Sequence, residues 1–153
     1  MPWLLRVILV TGFCVLCARL FSADLIPPAS VSVGAITVQA QPQVRLSAVH
    51  TLRIEKARAK AGWQLTAAMV NGGLTHAQSG GVIPASVRFT AIRGLYGATT
   101  SGITFSTDGS SVTSGPYNAN RTYDADFQAQ LTVPAFPRAG NYQGTISFII
   151  SEY

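Results

Sequence analysis

A strict alternation of apolar and polar residues over residues 123–133 constrains the fold more than any other feature of the chain. A period of two places successive side chains on opposite faces of an extended strand. The segment therefore predicts a half-buried antiparallel strand with one wet face. The apolar face comprises Tyr123, Ala125, Phe127, Ala129, Leu131 and Val133, and the polar face comprises Asp124, Asp126, Gln128, Gln130 and Thr132.

The same period recurs in shorter runs that begin at residues 31, 63, 87 and 142. Short alternating strands separated by turn signals predict an all-β fold, an antiparallel two-sheet β-sandwich of the Ig-like, Greek-key type. One segment fits this pattern less well, because residues 53–61 suit either a turn of helix stopped by Gly62 or a basic hairpin loop. The turn signals are Asn71-Gly72-Gly73, Ser79-Gly80-Gly81, Asp108-Gly109, Ser114-Gly115-Pro116 and Ala139-Gly140-Asn141.

Charge is scarce and mildly basic. Only 11% of the 153 residues are charged, against about 25% in a typical soluble domain, which disfavours a bundle of solvated helices. Beyond residue 40, nine bases stand against five acids. Such an excess favours an anionic partner, such as a wall polymer or a lipid headgroup surface. No basic stripe or recognition motif accompanies it, so we predict no nucleic-acid partner.

The N-terminal segment has the features of an export signal. Residues 7–18 are uncharged and lie between Arg6 and Arg19. Twelve residues suit the apolar region of a signal peptide and fall short of the roughly 20 that span a bilayer. A membrane anchor over residues 3–21 is the alternative, and it would bury Arg19 at a cost. We predict a secreted protein, located extracellularly at the cell surface.

These signals divide the chain into three parts. Residues 1–23 are predicted to form a helical signal peptide, with cleavage somewhere between residues 23 and 40. Residues 24–35 form an extended linker or a first strand, and residues 36–153 form the domain. Cys14 and Cys17 lie inside the signal, so the exported domain would contain no cysteine and would depend on its apolar core.

Four segments together resemble the WxL-type cell-surface domains of exported bacterial proteins, over roughly residues 36–151. The resemblance implies a secreted β-sandwich that binds the cell wall non-covalently through peptidoglycan. The four segments are Leu52-Arg53-Ile54 followed by Ala61-Gly62-Trp63-Gln64-Leu65-Thr66, then Ile83-Pro84-Ala85-Ser86, then Leu131-Thr132-Val133-Pro134-Ala135, and finally Ala139-Gly140-Asn141-Tyr142-Gln143-Gly144-Thr145.

The resemblance singles out Trp63 and Leu65 as candidate ligand-binding residues, beside the bases Lys56, Arg58 and Lys60. An indole face stacks well on the apolar C–H face of a sugar, and nearby bases would attract wall anions. The alternation favours a different interpretation, in which the tryptophan and the leucine lie on one inward strand face and fill the core. In that interpretation the bases belong to a solvated loop. If they formed a binding patch instead, binding would be sensitive to salt.

No arrangement of residues predicts catalysis. His50 falls within a predicted strand, and His76 lies in a Gly/Ser-rich loop without an obvious carboxylate partner. Asp124 and Asp126 would share one strand face, as a glycosidase or calcium site requires. Such a pair on an exposed face is usually only solvated. We predict a protein that is not an enzyme, with no cofactor and no metal site.

Two functions follow from these expectations. The first is a non-catalytic cell-surface domain that binds peptidoglycan or another surface glycan. The alternative is a structural subunit of a surface fibre or pilus assembled by donor-strand exchange, in which an extended segment completes a neighbour's sheet. Residues 29–41 would be the donated segment, although they also suit the domain's own first strand. The partners would then be other surface proteins or copies of the chain itself.

Overall fold

The computed structural model describes residues 4–11, 23–57, 62–95, 102–114 and 121–152, and most of these residues are in strands. This confirms the all-β prediction. No helix in the described ranges is long and apolar enough to cross a membrane. The strands are β1 (Leu4–Thr11), β2 (Asp24–Ile26), β3 (Ser30–Thr37), β4 (Gln43–Leu46), β5 (His50–Ala57), β6 (Trp63–Met69), β7 (Gly73–His76), β8 (Val82–Leu95), β9 (Ile103–Phe105), β10 (Ser111–Ser114), β11 (Arg121–Val133) and β12 (Asn141–Glu152).

Hydrogen bonds join these strands into one open sheet. Its main path runs β2-β5-β11-β8-β7-β12-β6-β10-β9, while β4 also pairs with β11, and β1 and β3 are attached beside β12. Every pairing among the described strands is antiparallel except that of β1 with β12. The long strand β8 joins two parts of the sheet. Residues 85–95 pair with β11, in the part that contains β2, β4 and β5. Residues 82–84 pair with β7, in the part that contains β12, β6, β10 and β9.

One hydrophobic core contains residues from both parts of the sheet. All six apolar residues of the alternating run in β11 are buried, as the period of two predicts. The Trp63 and Tyr123 ring centroids lie 5.7 Å apart, and those of Phe127 and Phe148 lie 5.0 Å apart. Both contacts join β11 to strands that are not its neighbours in the sheet. Rings in contact at these distances stabilise the core beyond their buried area alone.

The predicted signal helix is not found in the described residues. Leu4–Thr11 forms a strand, and residues 1–3 and 12–22 lie outside the described part. The run Val7-Ile8-Leu9-Val10 is rich in β-branched residues, which favour extended structure when neighbouring strands are available to pair with. Here β3 and β12 supply the backbone partners that a helix would find within itself.

Two further expectations concern residues 24–35 and residues 53–61. Residues 24–35 contain β2 and the start of β3, and β3 buries Val31 and Ile36. This supports assigning β3 to the domain as its own strand. The alternative of a helical turn over residues 53–61 is wrong for residues 53–57, because these residues belong to β5.

Candidate functional site

A slot one strand wide separates β3 from β12, and β1 occupies it. Residues 6–11 of β1 run parallel to residues 141–146 of β12. Residues 4–10 run antiparallel to residues 30–37 of β3. Among the described residues, β1 is the only strand that pairs with β3. We call the space between β3 and β12 the slot.

The walls of the slot belong to the core. Val31 and Ile36 of β3 are 0% and 2% exposed, and Tyr142 and Ile146 of β12 are 3% and 0% exposed. Side chains on these strands thus hold the walls in place, while backbone N–H and C=O groups at the facing edges bond to β1. Without β1, these edges would be unpaired, and open edges of this kind readily add a further strand.

A bulge in β3 explains how both of its apolar anchors reach the core. Val31 and Ile36 are five positions apart, an odd spacing that would place them on opposite faces of a regular strand. The register with β1 shifts between Val7 and Ile8, opposite Gly34 and Ser32. Gly34 has φ +80°, a conformation that glycine adopts without strain. The extra residue restores the inward orientation of Ile36.

The candidate binding residues Trp63 and Leu65 are in the core. They are 1% and 0% exposed, and the indole packs against Tyr123. An indole this buried offers no face to a sugar ring, so the structure agrees with the core interpretation that the alternation favours. The indole Nε1 has no hydrogen-bond partner among the described residues.

The structure describes only part of the candidate basic cluster. Lys56 is the penultimate residue of β5, and Arg58 and Lys60 lie outside the described residues. The strands that flank this connection, β5 and β6, are not neighbours in the sheet. The connection therefore passes from one part of the sheet to the other. Its role in binding stays a prediction.

The carboxylates of Asp124 and Asp126 are paired with arginines rather than simply solvated. Asp124 accepts a hydrogen bond from Arg53 Nε at 3.2 Å, and its cross-strand partners are Arg53 and Arg93. Asp126 accepts from Arg93 at 2.7 and 3.0 Å and from Thr51 at 2.8 Å. Burial raises the pKa of Asp126, but the hydrogen bonds from Arg93 and Thr51 outweigh it and leave the pKa below its ordinary value. A proton donor needs the opposite shift.

The two histidines lie on strands, His50 at the start of β5 and His76 at the end of β7. His76 is buried, its Nε2 lies 3.0 Å from the Ala139 carbonyl, and its Nδ1 accepts hydrogen bonds from the Gln78 and Ser79 amides. The imidazole thereby joins the turn after β7 to the turn before β12, with both nitrogens in use. His50 begins β5, as its predicted strand position requires.

No group of three His, Cys, Asp or Glu side chains in the described ranges is placed to hold a metal ion. Sequence reasoning missed the arginine partners of the aspartates, because cross-strand register is not visible in the alternation of one strand. It also missed the two-sided pairing of residues 4–11. The chain matches no protein-family model and no curated protein. The slot is the feature of the described structure that most directly suggests a function.

Proposed function

We propose that this chain is an exported, non-catalytic subunit of a bacterial surface fibre or similar assembly, and that a strand from another polypeptide completes its sheet. The slot is the observation that supports the proposal. Residues 1–23 have the features of a signal peptide, and β1 lies within them. Removal of the signal would leave β3 without the only strand that pairs with it among the described residues.

We further propose that the two parts of the sheet form an Ig-like, Greek-key β-sandwich. Ring contacts of Trp63 with Tyr123 and of Phe127 with Phe148 join the two parts across the core. A sandwich of this kind exposes edge strands, which proteins must cover or pair. In the exported chain the uncovered edges would be those of β3 and β12.

The site of signal cleavage affects this proposal. A cut after Ala40 would remove β3 together with the buried side chains of Val31 and Ile36. Burying an aliphatic side chain stabilises a fold by about 1.5–3 kcal/mol, so this loss would be severe. A cut after Ala23 keeps both anchors and opens only the slot. We therefore propose cleavage after Ala23.

The energetics favour a partner strand over hydrated edges. Each backbone hydrogen bond contributes about 0.5–1.5 kcal/mol net, and an unsatisfied buried donor costs about 1–3 kcal/mol. β1 is in register with six residues of β12 and seven of β3. A partner that restores these bonds would add several kcal/mol of stability, which makes the complex resistant to dissociation.

The test is to recover the protein from the surface of the producing bacterium and to analyse it with and without heating in SDS. A fibre subunit should migrate as species of high mass that collapse to the monomer on heating, and its N-terminus should follow residue 23. Mass spectrometry of the unheated species identifies the polypeptide that shares the complex. Recovery of the surface protein solely as a monomer in unheated samples would contradict the proposal.

Wall binding is a second candidate function, and the basic connection between β5 and β6 favours it. The chain has a net charge of +5, and three of its bases fall within the five residues 56–60 of this connection. The protein should pellet with purified peptidoglycan, and the triple substitution K56Q/R58Q/K60Q should reduce pelleting several-fold at low salt. The matched control is R45Q/R88Q/R138Q, which removes the same charge from exposed positions elsewhere. Equal loss in both variants would contradict a specific role for the connection.

A further inference from the structure

We infer that the slot accepts a largely uncharged strand parallel to β12, and that in the exported protein this strand comes from a different polypeptide, not from a second copy of this chain. The inference rests on the proposed function and specifies the partner. It follows from three observations: the direction of β1, the composition of β1 and of the slot walls, and the commitment of the residues that precede β3.

The slot has a defined polarity. β1 is parallel to β12 and antiparallel to β3, so any strand in the slot must be parallel to one wall and antiparallel to the other. At the bulge of β3 near Gly34, the register with β1 shifts between Val7 and Ile8. A strand inserted in the reverse direction would meet this bulge in a different register. The walls therefore favour the direction of β1.

The composition of β1 and the walls indicates the chemistry of the partner. Arg6 is the only charged residue of β1, and residues 7–11 read V-I-L-V-T. The walls present Val31, Ile36 and Ile146, each at most 2% exposed. A charged side chain directed toward such a core would lose its hydration without compensation. The partner strand should therefore carry apolar residues at the alternate positions that face the core over about six residues, as the composition of β1 allows.

A second copy of the exported chain has no suitable segment to donate from its N-terminus. Only residues 24–29 precede β3 after a cut at residue 23, and the first three of them form β2, which pairs with β5. Pro27 and Pro28 have no N–H to donate to a sheet. β3 itself is held by its buried Val31 and Ile36. These contacts argue against residues 29–41 as a free donor segment.

The first experiment tests the direction of the strand in the full chain by disulfide formation. In a C14S/C17S background, we expect V10C with T145C to form a bridge, because Val10 and Thr145 are register partners. Neighbouring strands lie about 4.8 Å apart, within the span a disulfide bridges. The matched control is L5C with T145C, whose cysteines are about 16 Å out of register along the strand. Preferential bridging of the control pair would overturn the assigned direction.

The second experiment tests the partner. A protease site replaces residues 14–18 of the full chain, the purified protein is cut, and a fluorescent peptide of residues 3–12 is added. We expect this peptide to replace the released segment at least tenfold better than a peptide with the same residues in reverse order. We also expect the cut protein to form no SDS-resistant homopolymer at high concentration. Equal binding of the two peptides, no exchange at all, or homopolymer formation would each overturn the inference.

These outcomes separate the inference from the proposed function. Purified protein that exchanges the peptide with the expected direction, but is recovered from cells solely as a monomer, contradicts the fibre proposal while the slot still binds a strand. A heat-sensitive surface complex whose protein fails the direction test contradicts the inference alone.

Discussion

The position of Gly140 leaves no room for a side chain, because His76 occupies the space. A Cβ at this position would clash with Nε2 of His76, and the residue has φ +145°. We expect Gly140→Ala to lower the free energy of unfolding by about 3 kcal/mol, from overpacking and backbone strain together. Denaturant unfolding measures this change.

The control for this substitution is Gly80→Ala. Gly80 has φ +72° but has no atom within 4 Å of the position of a Cβ, so we expect a cost of only about 1 kcal/mol from the backbone. Similar losses at the two positions would show that the contact with His76 does not constrain the turn before β12.

Trp63 should act as a core residue in any assay. It is 1% exposed, and truncation of a buried tryptophan typically costs about 3–5 kcal/mol. We therefore expect Trp63→Ala to destabilise the fold by this amount, whereas Trp63→Phe should cost clearly less. Fluorescence quenching by iodide in a Trp3→Phe background gives an independent measure, and strong quenching of Trp63 would contradict its burial.

Asp126 should titrate below its ordinary range because of Arg93. Burial raises its pKa, and the hydrogen bonds from Arg93 and Thr51 lower it by more. The pKa in the folded state is thus below the unfolded value of about 3.9. The carboxylate therefore stabilises the fold above that pH, and this contribution is lost as the pH falls through the folded pKa.

Arg93→Gln should raise the pKa of Asp126 toward its ordinary value, as measured by NMR titration of the side-chain carboxyl. Arg88→Gln, at an exposed position on the same strand, is the control and should leave the titration unchanged. An unchanged midpoint in the Arg93 variant would show that the hydrogen bonds do not determine the pKa.

Individual strands should differ in how fast their backbone amides exchange. β11 pairs with β8 on one side and with β4 and β5 on the other, whereas β3 pairs with β1 alone among the described strands. We expect amides of β3 to exchange at least tenfold faster than those of β11 in the full chain. Hydrogen exchange followed by mass spectrometry tests this, and equal protection would contradict the sheet order.

The sequence predicts regular strands well and irregular ones poorly. In β11 the alternation identifies every buried apolar residue, because the register shifts in its pairing place the extra residues on β5 and β8 and leave the period of β11 intact. In β3 the bulge at Gly34 breaks the period, so the pattern alone does not show that Val31 and Ile36 share one face. The slot could not be predicted, because it depends on which distant strands pair with residues 4–11.

The long strand β8 should make the entire chain unfold as one unit. Its residues 82–84 belong to one part of the sheet and residues 85–95 to the other, so neither part can open without disrupting the same strand. We expect one cooperative transition, with fluorescence of Trp63 and far-UV circular dichroism giving the same midpoint. Two separate midpoints would show that the parts are independent.

The position of β1 between two walls has a mechanical consequence. A strand bonded along both of its edges resists tension applied along its axis, because every bond must shear at nearly the same moment. Tension applied across the sheet would instead peel the bonds one after another. A subunit connected through the slot would therefore be strong when stretched lengthwise and weak when pulled sideways.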